Sequence, residues 1–147
     1  MIVIEPNVKK LMLEDVVKAY PDECCGFLFG TEKNEDRTIT AILIVTNAKD
    51  GDKRRRFEIA PKDYIKAERY ADENNLALLG IYHSHPNHPA IPSEYDRVAA
   101  QPYFSYIIVS VADADIKTIR SWRLNDEPQF EEEQIDHTSL STLKIKQ

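Results

Sequence analysis

The sequence predicts a single α+β domain of the three-layer kind, and three observations carry that prediction. Segments of strand and helix character mix without a regular βαβ alternation. No Gly-x-Gly-x-x-Gly fingerprint follows any strand. A continuous apolar run near the middle of the chain, LALLGIYH, has the length and composition of one buried central strand. The chain has 147 residues, 42% of them apolar and 30% charged. At that length folding buries roughly two-thirds of the surface of the unfolded chain, enough for one core without disulfides.

The elements follow in order. Residues 1–5, MIVIE, alternate and are rich in β-branched side chains, which predicts a short strand. Asn7 then stands as N-cap of a helix over VKKLMLEDVVKAY, with Val8, Leu11, Met12, Asp15 and Val16 at helical spacing. Pro21 ends that helix, CCGFLFG reads as a short buried strand closed by Gly30, and TEKNEDRT reads as a turn. Residues 38–47 form the next strand, followed by the charged loop AKDGDKRRR. Pro61 opens a second helix, along which Tyr64, Ile65, Ala67, Glu68 and Ala71 keep helical spacing. The central strand comes next and runs into the proline-rich segment SHPNHPAIPS. SEYDRVAAQ reads as a short helix, and residues 104–112 and 116–124 as two strands of a hairpin joined by Asp-Ala-Asp. The domain is expected to span residues 1–124, with 125–147 a weakly patterned tail.

Nineteen basic against 25 acidic residues give a formal charge of 19 − 25 = −6, which argues against a phosphate-binding surface and so against nucleic acid. No run approaches the ~18 apolar residues of a membrane span, and the first residues lack a basic and then apolar leader, so a cytoplasmic protein is expected. Cys24 and Cys25 are adjacent and offer neither a disulfide framework nor a zinc knuckle. They read as small buried strand residues in a reducing compartment.

The chemistry lies at the end of the central strand. Residues i and i+2 of an extended chain share a face, so His83 and His85 can converge on one metal ion. Ser93 and Asp96 follow in HSHPNHPAIPSEYD, three apart and on one face of the short helix. Two imidazoles and a carboxylate form a recurrent catalytic zinc set whose fourth position is left to water. With four histidines in 147 residues, and the serines and aspartates the chain contains, the pattern arises by chance in roughly 4 of 10,000 such sequences. A base is still required. Glu23, at the junction of a helix end and a buried strand, is the strongest candidate, but no spacing brings it to the histidines.

PDECCGFLFG, followed 60 residues later by HSHPNHPAIPSEYD, resembles the JAMM, or MPN-plus, zinc metallopeptidases. Asn47 and the stretch RRFEIAP look like the bacterial branch of that family, so the resemblance runs from about residue 2 to about residue 124. It implies a mixed, mainly antiparallel curved sheet flanked by helices in cytidine-deaminase-like layers. It implies one zinc per chain, held by His83, His85 and Asp96, with Glu23 as general acid and base and Ser93 stabilising the oxyanion. It also implies, as substrate, an amide at the C-terminal Gly-Gly of a ubiquitin-like sulfur-carrier protein. Two other classes stand beside it: a non-catalytic scaffold of the same fold, and a DNA-repair-associated relative with a similar metal segment.

Simpler readings accompany several of these residues. Ser93-x-x-Asp96 fits a capping box without any metal. His88 reads as a loop or substrate-edge residue. Lys53, Arg54, Arg55 and Arg56 read as a solvated loop, or as a dock for an acidic partner or a substrate carboxylate. Tyr106 and Trp122 read as core or face residues.

Overall fold

The computed structural model describes residues 1–136. Strand β1 (Ile2–Ile4) leads into helix α1 (Pro6–Ala19). Pro6, not Asn7, starts the helix: it occupies the first turn, where its missing N–H costs nothing, and Glu5 stands at the cap without a side-chain bond. Val8, Met12 and Val16 are buried as the spacing predicts, whereas Leu11 faces solvent.

Strands β2 (Cys25–Lys33) and β3 (Asp36–Val45) form one long hairpin. The segment TEKNEDRT is therefore mostly strand, and the turn shrinks to two residues, with Asn34 in the left-handed region at φ 59°. Helix α2 (Pro61–Glu73) precedes β4 (Ala77–Pro86), which runs three residues past the predicted end. Helix α3 (Glu94–Ala99) crosses to β5 (Ser105–Ala112), and β5 and β6 (Asp115–Leu124) form the expected hairpin over Asp113 and Ala114, both at positive φ.

With a last strand β7 at Phe130–Glu133, the sheet order is β1-β3-β2-β4-β5-β6-β7, with β4 at its centre; β1/β3 and β4/β5 are parallel and the other pairs antiparallel. Strand β7 (Phe130–Glu133) lies beyond the last element that the sequence pattern reveals. It is set by contacts made at a distance: Glu133 accepts hydrogen bonds from the Ser105 and Ser121 hydroxyls, each at 2.9 Å, and Phe130 packs edge-on against Tyr106. The two ends of the sheet then meet, because Ile2 N–H donates to Gln134 O at 2.9 Å and Asp136 N–H to Ile2 O at 2.8 Å. Residues 137–147 of the predicted tail lie outside the described residues.

Side chains alternate across this curved sheet. Leu28, Tyr82, Ile107 and Val109 pack under α1, and Phe27, Phe29, Ile81 and Tyr106 pack under α2. Between Leu28 and Phe29 the register against β4 shifts by one residue, so Leu79 joins the α1 side although Ile81, two residues on, faces α2. The parity that follows the bulge carries forward along β4, so His83 and His85 emerge on the α2 face.

One charge is fully enclosed. Arg37, at the start of β3, donates to Glu32 at 2.6 Å, Leu79 O at 3.0 Å, Ser105 Oγ at 2.9 Å and Tyr103 O at 2.8 Å. The same guanidinium lies 4.4 Å from the Tyr103 ring centroid, and its hydrogen bond, helped by one from Tyr103 and by its charge, holds the Glu32 carboxyl below the usual range. It ties together β2, β3 and the beginnings of β4 and β5. Arg37→Ala strands two carbonyls, and a loss of about 3 kcal/mol is expected in urea unfolding followed by circular dichroism.

Candidate metal centre

Pairing brings the dispersed residues together. Cys25 is opposite Val45 on one side and His83 on the other, and the β2/β4 register continues one step further through Cys24. Cys24 N–H donates to Ser84 Oγ at 2.9 Å and Ser84 N–H to Cys24 O at 3.3 Å. Glu23, the next residue back, is thereby placed beside His83 across 60 residues of chain. Ser84 points to the opposite face of the strand from its two histidine neighbours, as a period of two requires.

Glu23, His83 and His85 are all buried, and they form a group whose ligand atoms lie within 4.8 Å of one another. Asp96 closes the group from α3: its Oδ2 is 3.2 Å from His85 Nε2 and its Oδ1 3.9 Å from His83 Nε2. On the other side of the His83 ring, Nδ1 is 3.6 Å from Glu23 Oε1. Among the described residues these two atoms, Glu23 Oε1 and His83 Nδ1, are the buried side-chain polar atoms without a hydrogen-bond partner. Leaving such atoms unpaired costs about 1–3 kcal/mol each, so their coincidence at one point marks a place prepared for something else. A divalent ion fits the donor set of imidazole nitrogens and carboxylate oxygens.

The surroundings orient these side chains. His85 Nδ1–H donates to Pro89 O at 2.8 Å, which leaves Nε2 as the nitrogen turned toward Asp96. That carbonyl is held in place because the proline-rich loop is fastened to the sheet: Asn87 N–H donates to Val111 O, Ser110 Oγ to His88 O, and Trp122 Nε1 to Ala90 O. Trp122, read from sequence as a core or face residue, thus braces the loop. Phe57 stacks on the His83 ring with centroids 4.5 Å apart, a contact with no signal in the local pattern.

The capping box is present, and it serves the site. Ser93 Oγ accepts from Asp96 N–H at 3.1 Å, and Asp96 Oδ2 accepts from Ser93 N–H at 2.9 Å. The same carboxylate oxygen faces His85, so the cap fixes the position of the acidic residue. Burial pushes the Asp96 carboxyl up, but the charge of His83 and the hydrogen bonds from His85 and Ser93 outweigh it and hold the group well below the usual carboxylate range. For His85, burial opposes protonation, yet the Asp96 carboxylate and the Pro89 carbonyl raise its pKa above the ordinary value.

Two clefts flank the group. One is lined by Glu23, Arg55, Arg56, His85, His88 and Ser93. The other is largely apolar, with Phe57, Ile59, Tyr64, Ile81 and Tyr106 around His83 and Asp96. His88 is exposed on the rim of the first and is not among the clustered ligand atoms. No helix of the described residues is long and apolar enough to cross a membrane.

The profile described as prokaryotic homologs of the JAB domain matches residues 6–125. The CysO-cysteine peptidase of Mycobacterium tuberculosis (strain H37Rv) is 31% identical over 133 residues, covering 90% of this chain and 88% of the relative. A solution structure of a Desulfitobacterium hafniense protein superposes with a TM-score of 0.81 at 29% identity, covering 92% of each chain. The crystal structure of a JAB1/MPN domain protein from Archaeoglobus fulgidus shares the fold, with a TM-score of 0.54 at 20% identity over 92% of this chain and 98% of that one.

Both cysteines lie next to Glu23 without entering the group. Burial, reinforced by the negative charges of Asp15 and Glu23, pushes the Cys25 thiol up to about 12, and burial with Asp15 raises Cys24 as well. The reactive form of a thiol is the thiolate, so iodoacetamide at pH 8 is expected to leave both cysteines unlabelled in the folded chain and to alkylate both after unfolding, as read by mass spectrometry.

Proposed function

The chain belongs to the family of prokaryotic homologs of the JAB domain, and from that premise we propose that it is a zinc-dependent peptidase cleaving an amide at the C-terminal Gly-Gly of a ubiquitin-like sulfur-carrier protein. The observation that carries this reading is the pair of buried, unpartnered atoms Glu23 Oε1 and His83 Nδ1, set beside His85 and Asp96. A scaffold without catalysis would have no use for polar atoms held apart at that cost. The similarity to a CysO-cysteine peptidase along nearly the whole chain supports the substrate class.

In this reading His83, His85 and Asp96 hold the ion, two imidazoles and a carboxylate as in other catalytic zinc sites. Zinc supplies Lewis-acid polarisation and lowers the pKa of a water to about 7. Glu23 takes a proton from the attacking water as its oxygen adds to the carbonyl carbon. The C–N bond then breaks, and the same carboxyl delivers the proton to the departing nitrogen. Ser93 Oγ already accepts a bond from Asp96 N–H, so its own hydrogen is available to donate to the oxygen on which negative charge develops. The cap therefore also presents the Ser93 hydroxyl in a fixed orientation.

Removing the base and removing a ligand separate these roles. Glu23→Gln is expected to keep about one zinc per chain by elemental analysis. It is expected to lower kcat at least about a hundredfold, measured by mass spectrometry of a carrier that bears a C-terminal extension. Asp96→Ala is expected to lose both zinc and activity, and Ser93→Ala to retain zinc with kcat reduced about a hundredfold. An intact carrier after incubation with zinc-replete wild-type protein would sink the proposal.

A further inference from the structure

Resting on the peptidase reading above, we infer that Arg55 and Arg56 form a subsite for the free α-carboxylate of the residue released from the cleaved amide. The chain then acts on a carrier extended by a C-terminal amino acid in preference to one joined to an amine that has no carboxylate beside it.

Placement comes first. Both arginines line the cleft that contains Glu23, His85, His88 and Ser93. Their loop is stitched to the base itself: Glu23 N–H donates to Lys53 O at 2.7 Å, and Asn47 Nδ2 donates to Glu23 O at 3.0 Å and to Arg56 O at 3.1 Å. The other end of the Asn47 amide accepts from Lys49 N–H at 3.0 Å and Glu58 N–H at 3.1 Å. One side chain, with both its donors and its acceptor engaged, thus fixes the loop against the backbone of Glu23.

The cations are also unspent. Among the described residues Arg56 has no carboxylate partner; its guanidinium lies 4.7 Å from the Tyr95 ring centroid and donates to Arg55 O at 3.0 Å. Arg55 faces Asp52 at 3.7 Å, with both side chains more than half exposed, a pair worth little in solvent. Neither neutralises Glu23, whose Oε1 has no hydrogen-bond partner. Two planar guanidinium groups on an anchored loop are suited to a carboxylate, which they bind through paired N–H donors.

Chemistry then selects the ligand. Glu23 protonates the departing nitrogen, so that nitrogen lies at the base. In an α-amino acid leaving group a single carbon separates this nitrogen from the carboxylate, which must fall on the Glu23 side of the cleft, where the arginines are. An amine from a lysine side chain brings no carboxylate within that reach.

A six-residue peptide ending in Gly-Gly-Ala, prepared as the free acid and as the C-terminal amide, tests the inference. In zinc-loaded Glu23→Gln protein the acid is expected to bind about tenfold more tightly than the amide, the size of one charge-assisted hydrogen bond, measured by NMR titration. Replacing both arginines, Arg55→Gln with Arg56→Gln, is expected to abolish that difference while zinc content and thermal midpoint stay unchanged. With the active chain the acid should be the better substrate through a lower KM. An acid that does not bind, or binds no better than the amide, overturns the subsite, as does a double variant that weakens both peptides alike. Discrimination in binding with no cleavage of either peptide by the wild type leaves the subsite standing and overturns the peptidase reading instead.

Discussion

A buried carboxylate and a buried imidazole held 3.6 Å apart with no hydrogen bond between them are the constraint on which the rest of this structure bears. Left free, either group would rotate to a partner or to water, because an unmet polar atom in the interior costs more than a typical hydrogen bond gains. The residues that carry both groups are fixed in place. His83 is stacked under Phe57 and fixed in the central strand, paired to β2 on one side and β5 on the other. Glu23 is pinned through its own backbone to Lys53 and Asn47. The scaffold holds the donors at a point and leaves the completing interaction to a ligand.

Much of the fold could be read in advance because its signals are local. The period of the two long helices, the proline that opens α2, the apolar run of β4 and the hairpin after it are each written within a dozen residues. His83 and His85 were legible for the same reason, since an alternation of two needs no tertiary information. Glu23 was legible only as a candidate base at a helix–strand junction: the long-range register that sets Cys25 opposite His83 is what joins it to the histidines. The acidic strand β7 has no apolar alternation to betray it. It is held by the Ser105 and Ser121 hydroxyls and by Phe130 on Tyr106, all supplied by distant elements. Asn47 and Phe57 likewise carry their meaning in partners, not in spacing.

The helix cap shows why two readings of one motif need not compete. A serine and an aspartate three residues apart satisfy the orphan N–H groups of α3 and would do so in any protein. Here the hydrogen bonds that cap the helix also determine which way the carboxylate points. Asp96 Oδ2 accepts from Ser93 N–H and faces His85 Nε2 with the same atom. The local motif holds Asp96 rigidly beside His85, and the cost of ordering it is met by helix formation alone.

The charge balance deserves the same separation of scales. A net charge of −6 argues against a nucleic-acid surface because that interaction sums over many phosphates. A single carboxylate at the floor of a cleft answers to charges within a Debye length, about 8 Å at physiological salt. In the loop the sequence sets Lys53, Arg54, Arg55 and Arg56 beside Asp50 and Asp52, and Arg55 and Arg56 line the cleft that holds Glu23. The local cationic wall, placed by Asn47, is what a carboxylate at the mouth of the site would meet.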